Sequence, residues 1–160
     1  MLTLRSAVPA DAPLILAYIR ELAEYEREPQ AAVATEADLR RHLFSEHPLV
    51  RVTLAEWGGQ PAGFALWFLN FSTWEGKPGL YLEDLFVRPG FRGHGIGKAL
   101  LQHLAALAEK EGWSRFTWQV LDWNTPAIEF YEAQGAQILR PWLTCRVAGE
   151  ALRKLAGAAD

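Results

Sequence analysis

The chain has 160 residues, 50% of them hydrophobic and 22% charged, and its 16 basic and 19 acidic side chains give a net charge of −3. This is the make-up of one domain with its own core, residues 1–160. No run approaches the roughly 20 unbroken apolar residues that cross a bilayer, the start MLTLRSAVPADAP lacks a basic-then-apolar secretion signal, and the only basic stretch is a short one at 88–98. The expectation is a soluble cytoplasmic protein with neither membrane nor nucleic acid as partner.

In chain order, residues 2–7 alternate apolar and polar as a half-buried strand does, and Pro9 with Asp11 then opens a helix carrying Leu14, Ile15, Tyr18, Ile19 and Leu22. Thr35 followed three residues later by Asp38 is close to a capping box and predicts a short helix over 35–44. Two strand-like runs, 50–57 and 62–71, flank Gly58-Gly59-Gln60-Pro61, a hairpin signal. After a loop over 72–78, the run 79–87 (GLYLEDLFV) is a third strand, and Pro89-Gly90 ends it before a helix from about 96 to 111, stopped by Gly112. Then come a strand over 116–121, a helix over 125–134 with Pro126 in its first turn and Gly135 just past its end, and a last strand over 143–147. The order predicts an α/β (α+β) fold: one mixed, mostly antiparallel sheet flanked by helices.

Cys145 is the only cysteine, so it has no internal partner, and it reads as a small packed hydrophobe rather than a reactive thiol. His42, His47, His94 and His103 lack metal-ligand spacing to a cysteine or carboxylate on the same face, and no metal is expected.

The stretch Arg92-Gly93-His94-Gly95-Ile96-Gly97-Lys98 lies between a strand and a strongly amphipathic helix. A helix N-terminus offers unpaired N–H groups and positive dipole, and glycines let a phosphate approach the backbone, so a pyrophosphate is the natural guest. A dinucleotide fingerprint would need glycine where Lys98 stands, and a P-loop would need glycine at 92 and serine or threonine at 99; both fail. The bland alternative is a turn that caps a helix.

Glu83 and Asp84 interrupt an apolar strand, and strand alternation sends them to opposite sheet faces. An unpartnered buried carboxylate costs several kcal/mol or gains a raised pKa. Neither is therefore expected to be a routine surface charge.

Arg92, Gly95 and Gly97 match the arginine/glutamine-x-x-Gly-x-Gly/Ala signature of the GNAT superfamily of acyl-CoA-dependent N-acetyltransferases, and 124–131 (NTPAIEFY) with Gly135-Ala136 resembles its last motif. ELAEYE (21–26), TEADL (35–39), EHP (46–48), YLED (81–84), FRGHGIG (91–97) and WNTPAIEFY (123–131) are similar to the spermidine/spermine and thialysine acetyltransferase branch. That resemblance implies the acyl-CoA N-acyltransferase fold, with a bulge in the 79–87 strand that splays it from 116–121. It implies acetyl-CoA as co-substrate, held by backbone groups of Phe86 and Val87, by the loop from Arg92 through Gly93, His94, Gly95, Ile96 and Gly97 to Lys98, and by Asn124 and Tyr131. It also implies an amine pocket lined by Tyr25, Glu26, Trp74, Glu83 and Asp84, and a homodimer formed through the C-terminal part, where Trp142, Leu143 and 150–155 carry apolar groups.

An alkyl ammonium has a pKa near 10, so a proton must leave before nitrogen attacks a thioester. Glu83, directly or through water, is the expected base; the resemblance makes Tyr131 the proton donor to the departing thiolate, with no acyl-enzyme on Cys145. Tyr131 as a core ring and Glu26 as a solvated acid are the alternatives. The loop Asn70-Phe71-Ser72-Thr73 lacks the acid that polyamine acetylators carry before Trp74, and Lys77-Pro78-Gly79 is one residue longer, which weakens the case for a polyamine and leaves diamines and lysine-like amino acids open. A non-catalytic acyl-CoA sensor and a protein N-terminal or lysine acetyltransferase are the competing functions.

Overall fold

Gly58 and Gly59, with φ of 58° and 79°, form the two-residue turn that joins β2 (Arg51–Trp57) to β3 (Gln60–Ser72). Two consecutive positive φ values match the right-handed twist of a hairpin and suit glycine. The computed structural model describes residues 1–158, in two units: Met1–Trp123, and the residues from Asn124 onward.

In the first unit, β1 (Leu2–Ser6), β2, β3, β4 (Lys77–Val87) and β5 (Phe116–Trp118) form one sheet in the order β1-β2-β3-β4-β5. The first three pairings are antiparallel and β4 with β5 is parallel. The mixed, mostly antiparallel sheet expected from the sequence is therefore present. Its strands differ in extent: β3 starts at Gln60 because two glycines suffice for the turn, β4 starts at Lys77, and β5 spans only three residues.

One sheet face buries Val52, Leu54, Phe64, Leu66 and Phe86 against Ile15, Leu16, Tyr18 and Leu22 of α1 (Ala12–Tyr25) and Leu39 and Leu43 of α2 (Glu36–Leu43). Each such side chain contributes about 1.5–3 kcal/mol on burial. The α2 start is the expected capping box, with Thr35 Oγ accepting from Asp38 N–H and Asp38 accepting from Thr35 N–H at 2.9 Å. On the opposite face α3 (Ile96–Glu111) buries Ile96, Leu100, Leu101, Leu104 and Ala108, and Gly112, at φ 74°, ends it. At the sheet edge Asp11 takes two hydrogen bonds from Arg5, at 2.8 and 2.9 Å, and one from Val8 N–H.

The second unit holds α4 (Thr125–Ala133) and α5 (Gly149–Leu155). Residues 143–147, expected as a strand, are not one: strand backbone needs a ladder partner, and none of the described strands pairs with them. Cys145 is exposed rather than packed. Leu139, Trp142, Leu143 and Leu155 are likewise exposed.

Candidate active site

The register of β4 against β3 places the two acids. Leu66 pairs with Asp84 but the next residue, Trp67, pairs with Leu82, so Glu83 is the extra residue of a bulge. Cross-strand partners share a face, which puts Asp84 on the face of Leu66 and Leu82 on the opposite one. Glu83, alternating from Leu82, returns to the face of Asp84. The expectation that the two carboxylates diverge is thus overturned by one inserted residue. Glu83 is also exposed rather than buried, while Asp84 is half-buried.

That shared face is the face of α1, whose last turn runs into Glu26. Burial pushes the Asp84 carboxyl up to about 7, with the negative charges of Glu83 and Glu26 adding to it. Burial and Glu83 raise Glu26 in the same direction. The charge of Glu83 thus acts on both Asp84 and Glu26, and for those two acids the effect is the one a bound cation would relieve. Glu26 is half-buried in this group and is not the freely solvated acid that was its alternative reading.

Above Leu82 the sheet opens. β5 pairs with β4 only at Leu80, Tyr81 and Leu82, leaving the β5-side edge of β4 without a strand partner from Glu83 to Val87. Arg88 N–H donates to Ala62 O at 2.9 Å, so Arg88 and Phe86 turn their main-chain groups toward β3, and Leu85 and Val87 turn theirs toward the opening. Phe86 also sends its ring into the core, where it meets the edge of Tyr18 at 6.3 Å. Phe86 thus leaves the set of expected cofactor contacts. Leu85, which sequence reasoning passed over, presents its main-chain groups to the opening instead; only the register reveals it.

The loop after β4 continues this edge. Arg92 Nε donates to Val87 O at 2.9 Å, and its guanidinium lies 5.2 Å from the Tyr25 ring and 5.8 Å from that of Phe86. Gly93 and Gly95 adopt φ of 85° and 74°, and a Cβ at either position would meet nothing within 4 Å, so the space beside this backbone is open. The α3 ladder begins with Ala99 N–H on Gly95 O, which leaves the amides of Ile96, Gly97 and Lys98 without an intrahelical acceptor. An open glycine backbone with three such amides fits a pyrophosphate. His94 rests its ring 4.6 Å from Trp57 and turns Nδ1 to Phe91 O at 3.0 Å, fixing the loop to the end of β2.

In the second unit Asn124 is buried and caps α4, its Oδ1 accepting from Ala127 N–H at 3.4 Å. Tyr131 is half-buried, its ring stacked 5.4 Å from Phe130. Trp74 stands apart from the acids. It lies beyond Ser72↔Lys77 at the tip of the β3–β4 hairpin, 83% exposed. Six residues of strand from Lys77 to Glu83 span about 20 Å.

Sequence reasoning also missed Arg27. It is the only non-glycine residue at positive φ (65°) among those described, and its guanidinium carbon lies 3.8 Å from the centre of the Trp123 ring. A left-handed position after a helix is signalled in sequence by glycine, and arginine gives no such signal.

Comparison with known proteins bears on these features. The profile of the acetyltransferase (GNAT) family matches residues 16–136. The chain is 39% identical to thialysine N-epsilon-acetyltransferase of Bos taurus, over 96% of both chains. It is 34% identical to L-ornithine N5-acetyltransferase of Arabidopsis thaliana, over 95% of this chain and 86% of that one. Among solved structures, an integron cassette protein from the mobile metagenome of V. cholerae superimposes with a TM-score of 0.82 at 31% identity, covering 98% of each chain.

Proposed function

Because the chain belongs to the acetyltransferase (GNAT) family, we propose that it moves the acetyl group of acetyl-CoA directly to a primary amine of a small cationic molecule, a diamine or a lysine-like amino acid. Residues 1–160 act as a single domain in this reading, which the family match across both units supports. A cytoplasmic enzyme without a metal accords with it; no described helix is long and apolar enough to cross a membrane.

One observation carries the acceptor half: the β4 bulge gathers Glu83, Asp84 and Glu26 on one side of the sheet. Carboxylates whose charges raise the pKa of Asp84 and Glu26 attract an ammonium group, and Glu83, the most exposed of the three, takes its proton directly or through water. Tyr25 forms the aromatic flank of this pocket. The amide groups of Leu85 and Val87 and the loop Arg92–Lys98 hold the pantetheine arm and pyrophosphate, with Asn124 at the same cofactor. Nitrogen then attacks the thioester carbon, the C–S bond breaks, and Tyr131 gives its phenolic proton to the departing sulfur.

A homodimer completes the reading. The exposed Leu139, Trp142, Leu143, Val147 and Leu155 supply an apolar surface that a second copy can cover.

Release of free CoA thiol from acetyl-CoA, followed against L-ornithine, L-lysine, thialysine, putrescine and spermidine, tests the proposal. Thiol release with a diamine or a diamino acid is the expected result. Calorimetric binding of CoA without turnover of any amine would leave a sensor module, and absence of both would overturn the assignment.

A further inference from the structure

Resting on that reading, we propose that Arg27, held against Trp123, binds the carboxylate of the acceptor and selects α-amino acids bearing a side-chain amine over the corresponding diamines. α1 ends in a Schellman arrangement: Arg27 N–H donates to Glu24 O at 3.1 Å and Glu28 N–H to Ala23 O at 2.9 Å. Arg27 is therefore the residue that must turn left-handed, at φ 65°, a place where glycine is unstrained and arginine is not. Residues kept in such conformations cluster at functional sites. The strain sets the direction of one guanidinium.

Its plane is used up on one side only. The guanidinium lies 3.8 Å from the centre of the Trp123 ring, an arrangement that leaves the N–H edge of the fork available. Arg27 is exposed, and among the described residues no carboxylate lies within ion-pair distance of it. It follows Glu26 directly in the chain, and Glu26 is one of the charges that act on Asp84, so the residue that carries this open fork leaves the backbone next to a member of the acid group. Trp123 stands five residues beyond the last residue of β5, the strand that borders the opening beside Glu83.

Acids beside an oriented arginine match a molecule with an ammonium at one end and a carboxylate at the other. A plain diamine satisfies the acids and leaves the fork empty. Ornithine and putrescine differ by that single carboxylate and so isolate the contribution of Arg27.

The experiment measures kcat/KM for L-ornithine and putrescine in the unaltered protein, in Arg27→Gly and in Arg27→Lys. Arg27→Gly relieves the backbone strain, so a lost fold does not confuse the result. The ornithine-to-putrescine ratio is expected to fall about tenfold in Arg27→Gly, the size of an exposed but bidentate charge-assisted contact, and by less in Arg27→Lys, which keeps the charge and loses the fork. A purely structural role would move both amines together. An unchanged ratio in both variants overturns the proposal. Calorimetric titration of the same two amines poses the question without turnover: if the protein binds ornithine no better than Arg27→Gly does, the carboxylate site is absent. Failure of the unaltered protein to acetylate either amine would instead strike at the acetyltransferase reading itself.

Discussion

Asp84→Asn is expected to make the protein more stable at alkaline pH and to leave it nearly unchanged in acid. Asp84 keeps its proton in the folded chain up to about 7, against an ordinary value of 3.8. Between those values the folded state binds more protons than the unfolded one, so stability falls as pH rises through that window. The full difference corresponds to about 4 kcal/mol, an upper value for a half-buried carboxyl, and between about pH 5 and about pH 8 it amounts to about 2.5 kcal/mol. Asparagine carries no proton to lose. The variant should therefore gain about 2.5 kcal/mol on the parent between those two pH values, or about 5–10 °C in Tm for a chain of this size. Thermal and urea unfolding at both pH values, without ligand, measure it. An advantage that stays flat with pH, or shrinks as pH rises, would refute the argument from burial and neighbouring charge.

Gly63→Ala should cost about 2 kcal/mol or more in urea unfolding, because a Cβ there would run into the carbonyl oxygen of Phe86, backbone that cannot swing aside. Gly95→Ala meets open space but inherits φ 74°, so about 1 kcal/mol of strain is expected together with weaker CoA binding by calorimetry; unaltered affinity would remove this loop from the cofactor site. Tyr131→Phe should lower kcat by about tenfold or more and leave acetyl-CoA binding nearly intact, since only the hydroxyl is lost. Equal turnover at every pH would take Tyr131 out of the mechanism.

The helices and the sheet were legible because their signals are local. Thr35 and Asp38 cap α2 as their spacing demands, Gly112 stops α3, and the glycine pair turns β2 into β3. The loop Arg92–Lys98 could be read as an anion cradle for the same reason. What escaped depends on pairing between distant segments. Nothing in GLYLEDLFV announces which residue is the extra one; the register against Leu66 and Trp67 decides it, and with it the face that Glu83 occupies. Residues 143–147 have the composition of a strand, but composition supplies no ladder. Arg27 occupies a glycine position without being glycine, and its partner Trp123 is distant in sequence.

The bulge at Glu83 acts as a change of parity within a single strand. Below it β4 gives Leu82 to the α3 side; above it, after an even number of residues, the strand gives Phe86 to the α1 side. One continuous segment thus serves two hydrophobic layers, and the crossover point is where the acids surface. No point substitution can reverse that exchange, because side chains do not set the count. Deleting the residue at 83 would restore strict alternation with every other pairing kept, so Phe86 would stay in the layer it shares with Tyr18 while the acids lost the member that the bulge adds: the pocket would change and the core would not.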